Sequence, residues 1–309
     1  MRVFLAGASG AIGRPLVPKL VEAGHELTGT TRSEESAEAI RAAGARAAVL
    51  DVFDREALTA AMRGSGAEAV VQQLTALPDR LDFKDPKLYG ATNRLRGEGT
   101  RNLLEAAGAV GVRRFVSQSI AFLYAPVGGM VKSEDDPLIT NAPGPFASGL
   151  RTIAEMERAV LEADGLVLRY GFFYGPGTYY AKDGSTTADV RRRRLPVVGK
   201  GTGVTSFIHV EDAADATVAA VERGPSGVYN VTDDEPAPMR EWVPVFAEAA
   251  GAKTPLRVPV WLARLIAGKA VASFALDLRG ASNAKAKREL GWTPAHPSWR
   301  TGFAETLGA

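Results

Sequence analysis

Val3-Phe4-Leu5-Ala6-Gly7-Ala8-Ser9-Gly10-Ala11-Ile12-Gly13 is the stretch that decides how this chain folds. Its apolar start has the makings of a short buried strand. Three glycines follow, each three residues from the last, and an amphipathic stretch over 12–23 comes next. A strand, a glycine turn and a helix in that order form a dinucleotide-binding unit. Gly7 allows the tight turn, Gly10 lets the backbone approach a pyrophosphate, and Gly13 lets the helix pack close to the strand. Ser9, Ala11 and Ile12 complete the loop. The helix amino terminus then faces the negative charge with N–H groups that lack intrahelical partners.

Strand-like and helix-like patterns alternate beyond this unit. Short apolar runs occur at 2–6, 26–30, 47–50, 69–73, 114–117 and 166–169. Helical patterns lie between them at 12–23, 34–43, 55–62, 96–107 and 153–163. Such alternation implies a parallel sheet covered on both faces, and right-handed crossovers make it doubly wound. The expected class is α/β, a Rossmann-type doubly wound parallel sheet with a smaller C-terminal substrate lobe. A strand at 206–210, a helix at 211–222 and a strand at 228–231 return to the same style. The segment 171–182 is rich in Gly, Tyr, Phe and Pro, and 200–203 is a second glycine-rich turn. The tail has helical stretches near 239–250 and 259–274 and closes with 282–290 and Gly291-Trp292. The reading assigns 1–170 and 204–232 to a cofactor-binding domain. It assigns 171–203 and 233–309 to a lobe over the carboxyl edge of the sheet, where open α/β sheets bind ligands.

Composition narrows the function. The chain has 309 residues and a formal net charge of only +2, without the concentrated basic surface of a nucleic-acid binder. It has no cysteine, so disulfides and thiolate metal sites are excluded. Its histidines, His25, His209 and His296, have no paired-ligand spacing, and no metal is expected. No leader and no apolar run of membrane-spanning length is visible, so a cytoplasmic enzyme without membrane or nucleic-acid partners is the default expectation. The oligomeric state is left open.

The second strand ends Thr30-Thr31-Arg32-Ser33, without the acid that would bind a ribose 2′-hydroxyl. Arg32 is placed to meet a 2′-phosphate, with Thr31 and Ser33 as donors. The expected cofactor is therefore NADP(H), with NAD(H) accepted as well. The competing reading makes Arg32 a solvated surface residue. Asp51, followed by Val52, is placed for the adenine amino group or for a helix cap, and Asp54 is the better cap candidate. Leu74-Thr75-Ala76 should lie beside the middle of the cofactor.

Together with Gly99-Thr100-Arg101-Asn102-Leu103-Leu104, Arg114-Phe115-Val116-Ser117, the 168–177 stretch, Phe207-Ile208-His209-Val210-Glu211-Asp212 and Tyr229-Asn230-Val231, these residues resemble the extended branch of the short-chain dehydrogenase/reductase superfamily. The resemblance runs along nearly the whole chain and implies an oxidoreductase on a Rossmann fold. In that superfamily an Asn, a Ser or Thr, a Tyr and a Lys carry out proton transfer. Matched by position, the asparagine becomes Arg96, the serine Ile120 with Ser119 beside it, the tyrosine Ala147 and the lysine Arg151. No Tyr-x-x-x-Lys pair occurs between Ser119 and Arg169. The chain thus resembles atypical members: ketoreductases of actinomycete aromatic-polyketide tailoring in antibiotic biosynthesis, such as the angucyclinone ketoreductases of simocyclinone formation. The resemblance also leaves open non-catalytic NADP(H)-sensing regulators and nucleotide-sugar epimerases or dehydratases.

A ketone reduced without a protein tyrosine needs its alkoxide stabilised and protonated by other means. The candidate donors are Ser119, the main chain at Ile120, water, or a phenol on the substrate itself. Ser119 and Tyr124 each have a structural alternative, as a satisfied loop hydroxyl and a packing ring. Arg151 is a poor acid but a suitable ribose or oxyanion ligand, or a plain surface residue. Tyr170 and Phe172 follow the sixth strand beside the expected nicotinamide. Phe122, Tyr124, Phe173, Tyr179 and Tyr180 are candidates for an apolar slot taking a flat aromatic ketone. His209 is weighed as an acid against a structural role.

Overall fold

The computed structural model describes residues 1–82, 85, 87–141 and 146–308, the last segment without the side chains of 269–271. Seven strands form one parallel sheet: β1 (Arg2–Ala6), β2 (Glu26–Thr31), β3 (Arg46–Val49), β4 (Ala69–Gln72), β5 (Arg114–Ile120), β6 (Leu166–Tyr170) and β7 (Gly227–Val231). Their order is β3-β2-β1-β4-β5-β6-β7. The winding reverses between β1 and β4, so a crevice opens there at the carboxyl ends of the strands. The Rossmann-type class expected from the alternation is the one observed.

Local chemistry sets the helices between strands. Helix α1 (Gly13–Glu22) buries Leu16, Val17 and Leu20 against the sheet. Helices α2 (Glu34–Ala42) and α3 (Arg55–Ser65) start at the side-chain caps Ser33 and Asp54, which accept from the N–H groups of Ser36 and Ala57. Helix α4 runs through Gly90–Arg94, a π turn at Leu95–Gly99 and Thr100–Val110. Helix α5 (Ala147–Glu162) starts six residues before the expected position. Short helix α6 (Ser185–Arg191) precedes α7 (Val210–Glu222), which packs on α1. The tail supplies α8 (Met239–Ala249), α9 (Val260–Asp277, kinked at Gly268), α10 (Ala284–Leu290) and α11 (Trp299–Gly308). Among the described residues no helix is long and apolar enough to cross a membrane.

Among the described residues three large apolar cores form, with two smaller clusters around Ile120 and Ala121. One, around Val3, Leu5, Leu16 and Leu168, lies under α1 and α7. A second, around Phe4, Leu58, Leu103 and Phe115, lies on the opposite face of the sheet. A third joins Phe207, Trp242, Phe246, Trp299 and Phe303 in the smaller lobe. Two segments pack differently from the expected division at 204–232 and 233–309. Phe207 belongs to the lobe core, whereas Ala286, Leu290 and Trp292 close the sheet core beside α7. Adjacency in sequence does not decide which core a side chain reaches.

Strand β5 also runs three residues past the expected end at 117. Gln118 and Ser119 lie beyond that expected end, yet they are buried like Ser117, with their polar atoms bonded. The Ser119 hydroxyl donates to Glu157 Oε1 at 2.6 Å. Glu157 on α5 also accepts from Arg169 on β6, Nε to Oε1 at 2.9 Å and Nη2 to Oε2 at 2.6 Å. Arg169 Nη1 donates to the Tyr124 hydroxyl at 3.1 Å, which donates to Asn230 Oδ1 on β7 at 2.6 Å. Removing one partner of such a buried pair leaves an uncompensated charge. Glu157→Ala is expected to lower the unfolding free energy by about 3–5 kcal/mol in urea titration. A loss below about 1 kcal/mol, the range of exposed pairs, would show that the pair does not hold α5 to the sheet.

Candidate active site

Backbone close approach shapes the glycine turn. Gly7 has φ +95°, and a Cβ there would lie 2.9 Å from the Gln73 carbonyl carbon. A Cβ on Gly13 would lie 2.3 Å from the Gly7 carbonyl oxygen. Any side chain at either position would push β1 and α1 apart. Gly10 is exposed at the tip, and α1 opens with no side-chain cap and no acid in its first turn. Its N–H groups are thus left for an anion. Arg14, which the sequence reading passed over, holds its Nε 3.2 Å from the Ser9 carbonyl. A basic residue directly after Gly13 was the available signal. These residues fit a nicotinamide dinucleotide, with the glycine turn and the start of α1 on its pyrophosphate.

Around this turn the expected cofactor residues are arranged less uniformly. Arg32 is exposed at the end of β2. Thr31 and Ser33 are engaged locally: Ser33 N–H donates to Thr31 Oγ1 at 3.4 Å, and the Ser33 hydroxyl caps α2. Asp51 accepts from Phe53 N–H at 3.0 Å, and Asn102 fixes the Val52 carbonyl at 3.0 Å. Gln118 Nε2 holds the Leu74 carbonyl at 2.8 Å, Thr75 is exposed, and Ala76 N–H donates to Thr92 Oγ1 at 3.1 Å. Tyr170 departs from expectation. Its ring is fully buried, and its hydroxyl is bonded to Gln73 at 2.9 Å and Thr217 at 2.7 Å, with its pKa pushed up to about 12 by burial.

The catalytic end differs more. Ser119 is 1% exposed and its proton is committed to Glu157, so its hydroxyl does not face the cofactor. Ile120 closes β5, 9% exposed and in register with Tyr170. Arg151 lies on the outer face of α5, its side chain 87% exposed and 3.8 Å from Glu155. The inner face of α5 carries Gly149, Leu150, Ile153, Met156, Glu157 and Val160. Inward positions four apart are therefore Gly149 and Ile153, not 147 and 151. Neither can give a proton, and Glu157 is tied to Arg169. Helical phase is the reason for the difference: the inward pair lies two residues later, a rotation of about 200° around α5.

The aromatic candidates separate into two groups. Phe122 and Phe172 stack with centroids 4.3 Å apart, and Phe274 from α9 meets both edge-on while remaining 44% exposed. This cluster is an apolar surface joining sheet edge and lobe. Tyr179 is half-buried, its hydroxyl donating to the Pro78 carbonyl at 2.7 Å. Three other candidates are structural in placement. Tyr124 is 3% exposed within the ion-pair network, Phe173 packs on Tyr170 at 5.3 Å, and Tyr180 stacks on Phe303 at 6.1 Å in the lobe core. Tyr174 lies fully buried beside it, as core packing requires.

A family model described as the NAD dependent epimerase/dehydratase family matches residues 3–232. The chain is 49% identical over 308 residues to a 3-diazoavenalumate denitrifying reductase of a Streptomyces species, covering 98% of this chain and 99% of that protein. It is 30% identical over 274 residues to a 4-hydroxy-2-methyl-3-oxo-4-farnesyl-3,4-dihydroquinoline-1-oxide ketoreductase of Stigmatella aurantiaca, covering 86% of this chain and 79% of that protein. In structure it is similar to a UDP-glucose 4-epimerase of Thermus thermophilus, solved in complex with NAD. There the TM-score is 0.75 at 26% identity, over 100% of this chain and 98% of that one.

His209 ends the search for an acid. It caps α7, its Nδ1 accepting from Glu211 N–H at 3.3 Å, and its ring stacks on His296 at 4.0 Å. Burial, with the neighbouring His296, pushes its pKa down to about 4. It is thus neutral near pH 7 and serves as an acceptor. Between the ordinary value of 6.5 and about 4 the unfolded chain binds a proton here that the folded chain does not. Stability therefore falls as pH falls through that window. Urea midpoints measured from pH 7 to 4 should drop less steeply in His209→Asn than in the unchanged protein. Parallel slopes would contradict a neutral buried His209.

Proposed function

This chain belongs to the NAD dependent epimerase/dehydratase family and is an NAD(P)H-dependent reductase, and we propose that its acceptor is an aromatic diazo compound, reduced with loss of dinitrogen. One observation carries this reading: the inner face of α5 offers no proton donor where a carbonyl reductase would need one. The cofactor, when bound, supplies a hydride equivalent. A ketone that receives it becomes an alkoxide and requires a proton. An aryl diazonium that receives it at the terminal nitrogen forms an N–H bond and becomes an aryldiazene. The aryldiazene expels dinitrogen as its ring carbon gains hydrogen. Aryl diazonium and NAD(P)H thus give arene, dinitrogen and NAD(P)+, and no proton is consumed. The name of the Streptomyces relative supports the same chemistry.

The protein's part is then to bind, align and exclude water. The glycine turn and the start of α1 hold the pyrophosphate. Phe122, Phe172 and Phe274 offer rings for a flat acceptor to stack on. NADP(H) is the proposed cofactor, because Arg32 is exposed where an acid would favour NAD, and Arg14 adds charge beside the glycine turn. A second reading, favoured by the Stigmatella relative, is an aromatic ketone whose own phenol protonates the alkoxide.

The test is anaerobic. NADPH oxidation and dinitrogen release are followed with diazotised aminophenols and aminobenzoates, against enzyme-free controls and a panel of phenolic ketones. One dinitrogen per NADPH, above the control rate, is expected. Turnover of the ketones alone would replace the diazo reading by the second one, and turnover of neither would reject both. Arg32→Asp should weaken NADPH roughly ten- to hundred-fold and spare NADH, since it removes charge-assisted bonds to a phosphate. An NADH preference in the unchanged protein would overturn the cofactor assignment.

A further inference from the structure

Arg96 is a buried cation with no ion pair of its own among the described residues. It is 5% exposed, within the π turn of α4. Its Nε has no hydrogen-bond partner among the described residues. Glu157 is the carboxylate within electrostatic reach, but both its oxygens are taken by Arg169 and one also by Ser119. Arg96, Glu157 and Arg169 thus bring two guanidiniums to one carboxylate. Burial lowers the Arg96 pKa to about 10, which still leaves it charged at neutral pH. An isolated buried charge costs several kcal/mol, so a position like this is stable only if something offsets the charge.

The surroundings match an anion that carries a ring. Asn93 Oδ1, three residues earlier on α4, is also buried without a partner among the described residues, and as an acceptor it suits a hydroxyl of such a molecule and not its carboxylate. Facing it is Gly149 of α5, where a Cβ would come within 3.1 Å of that oxygen. Tyr89 lies within electrostatic reach of both Arg96 and Tyr179, and its ring meets Phe146 edge-on at 5.8 Å. Arg96 in the π turn, Gly149 at the start of α5 and the Tyr89–Phe146 ring pair thus bring a fixed positive charge and aromatic rings together, with no matching carboxylate among the described residues. π turns in α-helices are frequent at functional sites, because the inserted residue re-aims the side chains around it.

We propose that Arg96 is the anion anchor of the substrate site, its guanidinium binding the carboxylate of an aromatic substrate beside the π turn of α4. The inference rests on the reading that the protein takes a small aromatic acceptor. A guanidinium presents a planar fork that suits a carboxylate, and an ammonium does not reproduce it. The anchor would fix the far end of a flat acceptor while its reacting group lies toward the glycine turn. Arg96 does no proton transfer in this role.

Calorimetry on the protein loaded with NADP+ tests it, with trans-cinnamate and its methyl ester as probes. The acid is expected to bind at least about ten-fold tighter than the ester, in line with a charge-assisted bond. Arg96→Gln should remove that difference, and Arg96→Lys should keep part of it. NADP+ affinity should stay unchanged in both. The melting temperature of Arg96→Gln should hold or rise, since an unpaired buried charge is removed. Equal binding of acid and ester, binding of neither, or an acid preference that survives Arg96→Gln would overturn the proposal. So would a large fall in melting temperature in both variants, which would make Arg96 a structural partner of Glu157. This binding assay is independent of turnover. A protein that prefers the acid through Arg96 but reduces no diazo compound would reject only the diazo reading.

Discussion

The Glu157–Arg169 pair is the constraint on which the catalytic half of this molecule depends. Both side chains are about nineteen-twentieths buried, at 6% and 5% exposure. Two charges placed so deep are stable only with full hydrogen bonding, and here the bonding is nearly complete. The carboxylate accepts from Arg169 twice and from Ser119 once, and the guanidinium passes the chain on through Tyr124 to Asn230. Asn230 in turn donates to the Ser282 carbonyl, at the edge of the tail. One network thereby fixes α5 against β5, β6 and β7.

That fixation has a chemical consequence. Because Glu157 faces inward, Ile153 and Gly149 must face inward as well, four and eight residues earlier on the same helix. The place from which a side chain could protonate a substrate is occupied by a hydrogen atom and a hydrocarbon. Ser119, which would otherwise be the nearest hydroxyl, is consumed by the network. His209 is held neutral as a helix cap, and Tyr170 is sealed in the core. The fold keeps the cofactor half of a reductase and has turned its acid half to structural use. An acceptor that needs hydride without a proton is consistent with that economy of groups.

The charge balance points the same way. Arg96 sets a long cation in the π turn, yet no second acid accompanies it among the described residues in reach. The sheet edge thus offers a nucleotide cradle at one end, aromatic rings from sheet and lobe above, and a buried positive charge between α4 and α5. The proposed substrate, a flat anion, is the kind of molecule that fixed charge holds through electrostatic preorganisation more than through contact area.

Much of this was legible in the chain itself. The glycine spacing after a four-residue apolar strand determined the cofactor turn, because only glycine permits φ +95° at Gly7 and the close approach at Gly13. The alternation of apolar runs and amphipathic stretches determined a parallel, doubly wound sheet, since each buried strand needs a crossover helix to return. The absence of a Tyr-x-x-x-Lys pair was equally plain. What the residues could not decide was direction. Ser119, Arg151, Tyr124, Tyr170 and Tyr180 all looked available. Tertiary packing turned four of them inward to satisfied partners or ring stacks and one outward to solvent. Gln118 and Ser119 fell outside the expected strand, because the buried hydrogen bonds to Leu74 and Glu157 that hold them join residues far apart in sequence. Arg96 likewise became notable only when the fold showed that its one acidic neighbour was already taken. Local sequence determines conformation through short-range sterics and periodicity; which polar groups are left without partners is a property of long-range packing alone.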